Sequence, residues 1–185
     1  MKKTYSIEVA GVKRELPLCR VNDNLYIAAF VMFGDVEITV AAASELLKKA
    51  PEFDIMITAE SKGIPLLYEM ARQINADNYI LARKGPKLYM QDIVYTKVNS
   101  ITTENQQMLC ISGEDAEAMK GKRVLIVDDV ISTGESLEAL SKLVTQVGGN
   151  IVGKMAVLAE GDAIGREDII YLAPLPLFNP DGSEK

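Results

Sequence analysis

Two adjacent carboxylates, Asp128 and Asp129, end the apolar run Val124–Val127, and a small polar loop, Ile131-Ser132-Thr133-Gly134-Glu135-Ser136, follows them. Like charges side by side at the end of a buried strand are costly unless they accept hydrogen bonds, and the vicinal hydroxyls of a sugar are suitable donors. The loop leads into Ser136–Val147, a helical pattern with Leu137, Leu140, Val144 and Val147 on one face. A helix start offers unpaired N–H groups and the positive end of the dipole, which suits a phosphate. Gly134 lets the backbone come close, and the hydroxyls of Ser132, Thr133 and Ser136 add donors. A diol and a phosphate held side by side describe a ribose 5-phosphate. A second loop has a similar build. The apolar run Phe53–Ala59 ends in Glu60-Ser61-Lys62-Gly63, and a helix begins at about Ile64, its start again turned to an anion.

The elements that must position these loops alternate. Helices are expected at Ala41–Ala50, Ile64–Ile74 and Ser136–Val147, with Gly148 as the last one's C-cap. Strands are expected at Phe53–Ala59, Asn78–Ala82, Val124–Asp128, Ile151–Ala159 and Asp168–Ala173. Such alternation predicts an α/β fold, a parallel sheet flanked by helices, with ligands outside the carboxyl ends of the strands. Two regions break the pattern. Thr4 to about Phe33 is strand-like with a turn at Asn22–Asn24. Lys84–Ile111 is long, polar and weakly β-patterned. "APLPLF" near the C-terminus suggests an edge segment, and "NPDGSEK" a frayed tail.

Composition removes several function classes. With 185 residues, 48% of them hydrophobic, the chain suits one domain with a sizeable core. A net charge of −6 argues against a nucleic-acid partner. Cys19 and Cys110 have no CxxC spacing and read as reduced thiols. No apolar run follows Lys2 and Lys3, so no signal peptide is expected, and no stretch is long enough to span a membrane. A cytoplasmic location follows as the expectation. The chain has no histidine, which excludes Ser-His-Asp and Cys-His catalysis and most zinc sites. Gly148–Lys154 approximates a P-loop, but Met155 replaces the Ser/Thr and the segment leaves a helix to enter a strand, so it reads as a turn. A dinucleotide G-x-G-x-x-G is absent, and too little chain follows Asp129 for a receiver domain.

Val124–Ser136 resembles the signature of the type I phosphoribosyltransferases, which use phosphoribosyl pyrophosphate. "TAESKGIPL" (Thr58–Leu66) is similar to the pyrophosphate loop of their adenine and xanthine branches, and "ARKGPKL" (Ala82–Leu88) to the start of their mobile loop. The resemblance implies that Asp128 and Asp129 hold the ribose hydroxyls. Ile131, Ser132, Thr133, Gly134, Glu135 and Ser136 wrap the 5-phosphate, and Glu60, Ser61, Lys62 and Gly63 line the pyrophosphate site. Arg83, Lys84 and Lys87 approach the pyrophosphate, with Lys87 assigned to catalysis. Magnesium rides on phosphoribosyl pyrophosphate, with no protein metal ligands. The resemblance further implies a single domain over 1–185 and a homodimer. It has a small hood from about 1–33 and 172–185 over the base, and a mobile β-like lid over about 84–111. Phe178, or else Phe30, is the candidate to stack on the base. The adenine enzymes' N-terminal phenylalanine motif is not recognisable, and Thr102-Thr103 stands where they carry an acidic-aromatic pair. "GVKRELP" (Gly11–Pro17) and the pyrophosphate loop favour adenine. The expected function is therefore purine salvage by an adenine-preferring phosphoribosyltransferase. The alternatives are a xanthine or hypoxanthine-guanine enzyme and a non-catalytic sensor of phosphoribosyl pyrophosphate.

Overall fold

Thr4–Val9 (β1), Val12–Asn22 (β2) and Leu25–Ala28 (β3) form an antiparallel meander, its second turn at the Asn22–Asn24 signal. The computed structural model describes residues 4–98 and 107–185. Val36–Lys49 (α1) begins earlier than its periodicity suggests. The β-branched Val36, Ile38, Thr39 and Val40 weaken the helical pattern. The side chain of Asp35 overrides them by accepting from the Ile38 N–H at 3.3 Å, and Ile38 and Thr39 are buried.

Ile55–Ala59 (β4), every residue buried, leads into Ile64–Gln73 (α2), which carries Pro65 in its first turn. Ile80–Ala82 (β5) follows. Val94–Val98 (β6) and Gln107–Ile111 (β7) form an antiparallel ribbon. Gly113–Met119 (α3), absent from the sequence expectations, is stabilised by a reciprocal cap between Ser112 and Asp115. Then come Arg123–Ile131 (β8), Glu135–Gln146 (α4), Asn150–Glu160 (β9), a 3-10 turn at Gly161–Ala163, Ile170–Leu175 (β10) and Leu177–Phe178 (β11). Gly148, at φ 81°, turns α4 into β9, as expected for the pseudo-P-loop.

The main sheet has the order β10-β9-β8-β4-β5, and every pair in it is parallel. Period-2 alternation in β8 splits its side chains between two cores. Leu125 and Val127 pack with Ile38 and Leu46 of α1 and with Leu66 and Met70 of α2. Val124 and Ile126 pack with Leu140, Leu143 and Val144 of α4. Each such buried side chain contributes roughly 1.5–3 kcal/mol. Because β5 flanks β4 on one side and β8 on the other, the strand order reverses between β4 and β8. Their carboxyl ends therefore open a crevice for ligands.

The expected hood is a second sheet, β1-β2-β3-β11, in which Phe178 pairs with Tyr26 and Leu177 with Ile27. Its C-terminal share is smaller than expected, because Leu172–Leu175 complete β10 of the main sheet. Arg14 on β2 grips Asp35 at 2.7 and 2.8 Å and Glu37 at 2.8 Å, tying this sheet to α1. The C-terminal tail is folded back. Asp181 accepts from Ser183, and the Lys185 N–H donates to the Leu177 carbonyl at 2.8 Å. Part of the expected lid is core: Leu109, Cys110 and Ile111 are buried, and Arg83 and Cys110 exchange two backbone hydrogen bonds of 2.8 Å.

Candidate functional site

β8 does not stop at its carboxylates. It runs on to Ile131, so Asp128 and Asp129 lie within the strand, held by its pairing to β9, rather than at a solvated end. Asp129 is only 3% exposed. Asp128 Oδ1 accepts from the Asp129 N–H at 2.9 Å. Burial, then the neighbouring Asp129 charge, pushes the Asp128 carboxyl far above the usual carboxylate range, to about 8. Lys62 Nζ stands 3.2 Å from Asp129 Oδ2, an ion pair without the geometry of a hydrogen bond. That buried oxygen therefore has no donor among the described residues. It is an acceptor in want of a ligand hydroxyl.

Beyond Ile131, which is itself buried, the chain turns at Gly134 into α4. Gly134 has φ 85°, a left-handed conformation that favours glycine, and no side chain caps the helix. Asp128 and Ile131–Ser136 line a recess of about 160 Å³ here. The arrangement can take an anion at the helix start and a pair of hydroxyls at the carboxylates. A larger cavity, about 610 Å³, lies elsewhere, lined by Tyr79, Leu81, Arg83, Tyr89 and Ser112.

The loop after β4 meets β8 edge-on. Gly63 has φ −71°, open to any residue, so backbone freedom is not what it supplies. Space is: a Cβ there would collide with Thr58 Oγ1 and come within 3.2 Å of Asp128 Oδ1. Thr58 is fully buried, and its hydroxyl makes no hydrogen bond among the described residues. Thr58 opens the stretch that resembles the pyrophosphate loop, but its place in the strand Phe53–Ala59 does not tell that its hydroxyl is turned under Gly63. The Glu60–Ser61 peptide is cis. Ser61 and Lys62 are exposed at the crevice. Glu60 turns the other way. It accepts from the Lys84 N–H at 3.1 Å and from Arg83 at 3.3 Å, and the first of these holds its carboxyl below the ordinary range.

Arg83 also donates to the Tyr89 hydroxyl at 3.0 Å, so Glu60 and Arg83 brace the root of the expected lid rather than line the crevice. Lys84 and Lys87 are exposed on that segment. Thr102 and Thr103 lie outside the described residues. Phe178 is 1% exposed and packs on Tyr5, ring centroids 5.0 Å apart, so its face is used by the hood's own core and is not presented to a base. Phe30, at 5% exposed, is also core.

Two charged residues near the loops carried no signal in the sequence. Glu160 ends β9 one step beyond the Ala159–Ile131 pair, and burial raises its carboxyl. Arg166 reaches the α4 start from the segment before β10, and its Nη1 would lie 2.8 Å from a Cβ on Gly134. Glu160 lies one residue past the strand expected at Ile151–Ala159 and Arg166 in the segment before β10, and only the folded topology brings them near.

Comparison with known proteins agrees with this geometry. A phosphoribosyl transferase domain matches residues 36–172. The adenine phosphoribosyltransferase of Natranaerobius thermophilus is 35% identical over 133 residues, 72% of this chain and 73% of that protein. The xanthine phosphoribosyltransferase of an Exiguobacterium species is 29% identical over 66% of this chain and 62% of its own length. An adenine phosphoribosyltransferase structure from Thermoanaerobacter pseudethanolicus superposes with a TM-score of 0.66 at 21% identity. It covers 93% of this chain and 95% of that one, a likeness of fold.

Proposed function

Because this chain belongs to the phosphoribosyl transferase family, we propose that it makes a purine nucleoside 5′-monophosphate and pyrophosphate from a purine base and phosphoribosyl pyrophosphate. Adenine is the favoured base, in keeping with its adenine phosphoribosyltransferase relatives. The observation that carries the reading is the buried, donorless Asp129 oxygen on β8, beside the uncapped helix start at Gly134.

In this reading Asp129 and Asp128 accept from the ribose hydroxyls, and Ser132–Ser136 hold the 5-phosphate at the start of α4. Displacing pyrophosphate from the anomeric carbon builds positive charge on the ribose, which the nearby carboxylates favour. Ser61, Lys62 and Gly63 bind the leaving pyrophosphate, and Lys62 would leave Asp129 to do so. Lys84 and Lys87 reach the same group when the segment that carries them closes and excludes water. Glu60 and Arg83, braced against each other, set the root of that segment. The moving part is then narrower than 84–111, since Leu109–Ile111 are buried.

Among the described residues no three His, Cys, Asp or Glu form a metal-binding set. Magnesium would be carried on phosphoribosyl pyrophosphate, and the carboxylate oxygens of Asp128 and Asp129 would suit its water shell. When bound, the ion neutralises the leaving pyrophosphate. The reading includes a single domain in the cytoplasm, acting as a homodimer. Exposed Phe33, Val36, Val40 and Tyr68 around the start of α1 and on α2 offer an apolar face for a second copy, and no described helix is long and apolar enough to cross a membrane.

The deciding experiment incubates the protein with phosphoribosyl pyrophosphate, magnesium and each of adenine, hypoxanthine, guanine and xanthine, and measures pyrophosphate release. Release with adenine above the rest is expected. Preference for xanthine would move the assignment to that branch. Binding without release for every base would replace the enzyme by a sensor.

A further inference from the structure

We propose that Arg166 is a positioning residue for the 5-phosphate loop, the cation that makes this acidic end of the sheet able to hold a dianion. This rests on the reading that the phosphate sits at Gly134. The charges already at the crevice oppose a phosphate: Asp128, Asp129 and Glu135 lie on β8 and the first turn of α4. Lys62, the lysine of the loop after β4, is paired with Asp129. The backbone N–H groups of a helix start supply only partial positive charge.

Arg166 arrives from outside both signature loops. Its Nε and Nη2 donate to the two oxygens of Asp168 at 2.9 and 2.8 Å, a bidentate clamp that fixes the guanidinium plane. The remaining nitrogen, Nη1, has no hydrogen-bond partner among the described residues and abuts Gly134, where an added Cβ would lie 2.8 Å away. Lys154 on β9 donates to Asp168 as well, at 3.3 Å. Two cations thus share one carboxylate, so the cluster keeps a net positive charge next to the loop. Asp168 is held well below the usual carboxylate range, by Arg166 first, and stays ionised at any working pH. Nη1 packs on the Cα side of the left-handed glycine. Arg166 therefore supports the turn that aims the α4 start at the phosphate, and its charge acts across that turn. The same contact revises the reason why Gly134 must be glycine. A side chain there meets the clamped guanidinium, as well as an unfavourable φ of 85°.

The test compares Arg166→Met, which keeps length without charge, and Arg166→Lys, which keeps charge, with wild type. Each is titrated calorimetrically with AMP and with adenosine, which lacks the phosphate, and assayed for kcat and for KM of each substrate. Arg166→Met should weaken AMP and raise the KM for phosphoribosyl pyrophosphate about tenfold, through a looser turn and the lost charge behind it, with adenosine binding, the KM for adenine and kcat within about twofold of wild type. Arg166→Lys should bind AMP within about threefold of wild type. AMP binding by Arg166→Met equal to wild type would overturn the proposal. So would equal losses in the methionine and lysine variants, or a matching loss for adenosine, because each describes a purely structural side chain. The underlying reading has its own control: wild type that binds adenosine as tightly as AMP would remove the phosphate from this loop, and the role of Arg166 with it.

Discussion

Asp128→Asn should make the ligand-free protein more stable while making the enzyme worse. Asp128 sits in mid-strand beside the buried Asp129, and its folded carboxyl titrates near 8 against an ordinary value of 3.8. A carboxyl whose folded value is raised adds stability only while it holds its proton. That contribution is complete below the unfolded value and is lost as pH rises through the folded one, here from about pH 4 to about pH 8. A displacement of one pH unit is worth ~1.4 kcal/mol. Part of the displacement belongs to Asp129, and Lys62 offsets some of it, so about 2–3 kcal/mol is the expected cost carried by Asp128 at pH 8.

Asparagine keeps the oxygen that accepts from the Asp129 N–H and removes the charge. At 2–4 °C per kcal/mol for a chain of this size, the variant should melt roughly 5–10 °C above wild type at pH 8 and close to it at pH 4. The other carboxyls that titrate at acid pH are common to both proteins and cancel. Calorimetric melts without magnesium or phosphoribosyl pyrophosphate, from pH 4 to pH 8, measure the difference. The same substitution should lower kcat/KM for phosphoribosyl pyrophosphate by about tenfold to a hundredfold, one or two charge-assisted hydrogen bonds to the ribose. A variant no more stable than wild type at pH 8 would refute the argument from buried like charges. Unchanged kinetics would refute the diol assignment.

Three further outcomes are expected. Gly134→Val should abolish AMP binding in a protein that still folds, because φ 85° costs a β-branched residue about 1–3 kcal/mol and the side chain meets Arg166; calorimetric titration showing wild-type affinity would contradict it. Gly63→Ala should destabilise by about 1–3 kcal/mol through its collision with Thr58 Oγ1, and adding Thr58→Ala should recover much of that loss. Strictly additive effects in denaturant melts would show that the two residues do not compete for the space. In hydrogen exchange, the backbone of Lys84–Asp92 should gain protection on addition of phosphoribosyl pyrophosphate and magnesium, whereas buried Leu109–Ile111 and the β6 residues paired with them should be protected throughout. Equal protection of Lys84–Asp92 in both states would make it fixed structure and end its role as a lid.

The parts of this molecule legible in its sequence are those where local pattern and tertiary packing agree. β4, β8 and α4 announce themselves because their apolar periods face the two cores directly; the Asp-Asp signal lies within β8, and Gly134 lies between β8 and α4. α1 hid its first turn behind β-branched residues, and α3 is a single capped turn or two, too short to show a period. Orientation is less legible than position. Glu60 lies in the correct loop yet points to the lid root, because the Lys84 N–H needs an acceptor there. Phe178 lies in the hood as expected, yet its ring serves the hood's interior, and nothing in "PLPLF" distinguishes an inward ring from an outward one. Arg166 could not be placed by reading along the chain, since its partner Gly134 lies across the sheet.

The pairing of Leu177–Phe178 with β3 has a consequence for how the molecule is born. The ribosome delivers β1, β2 and β3 first, Tyr5 among them, and delivers Phe178 only after every strand of the main sheet. The parallel sheet can therefore assemble before the second sheet is complete, and the fourth strand of that second sheet docks only when synthesis has passed Phe178. Chains released before that point would carry an open sheet edge and an unfilled apolar pocket beside Tyr5, the surface on which quality-control factors and aggregation both act. The second sheet thus gains its fourth strand only after every strand of the main sheet has been synthesised.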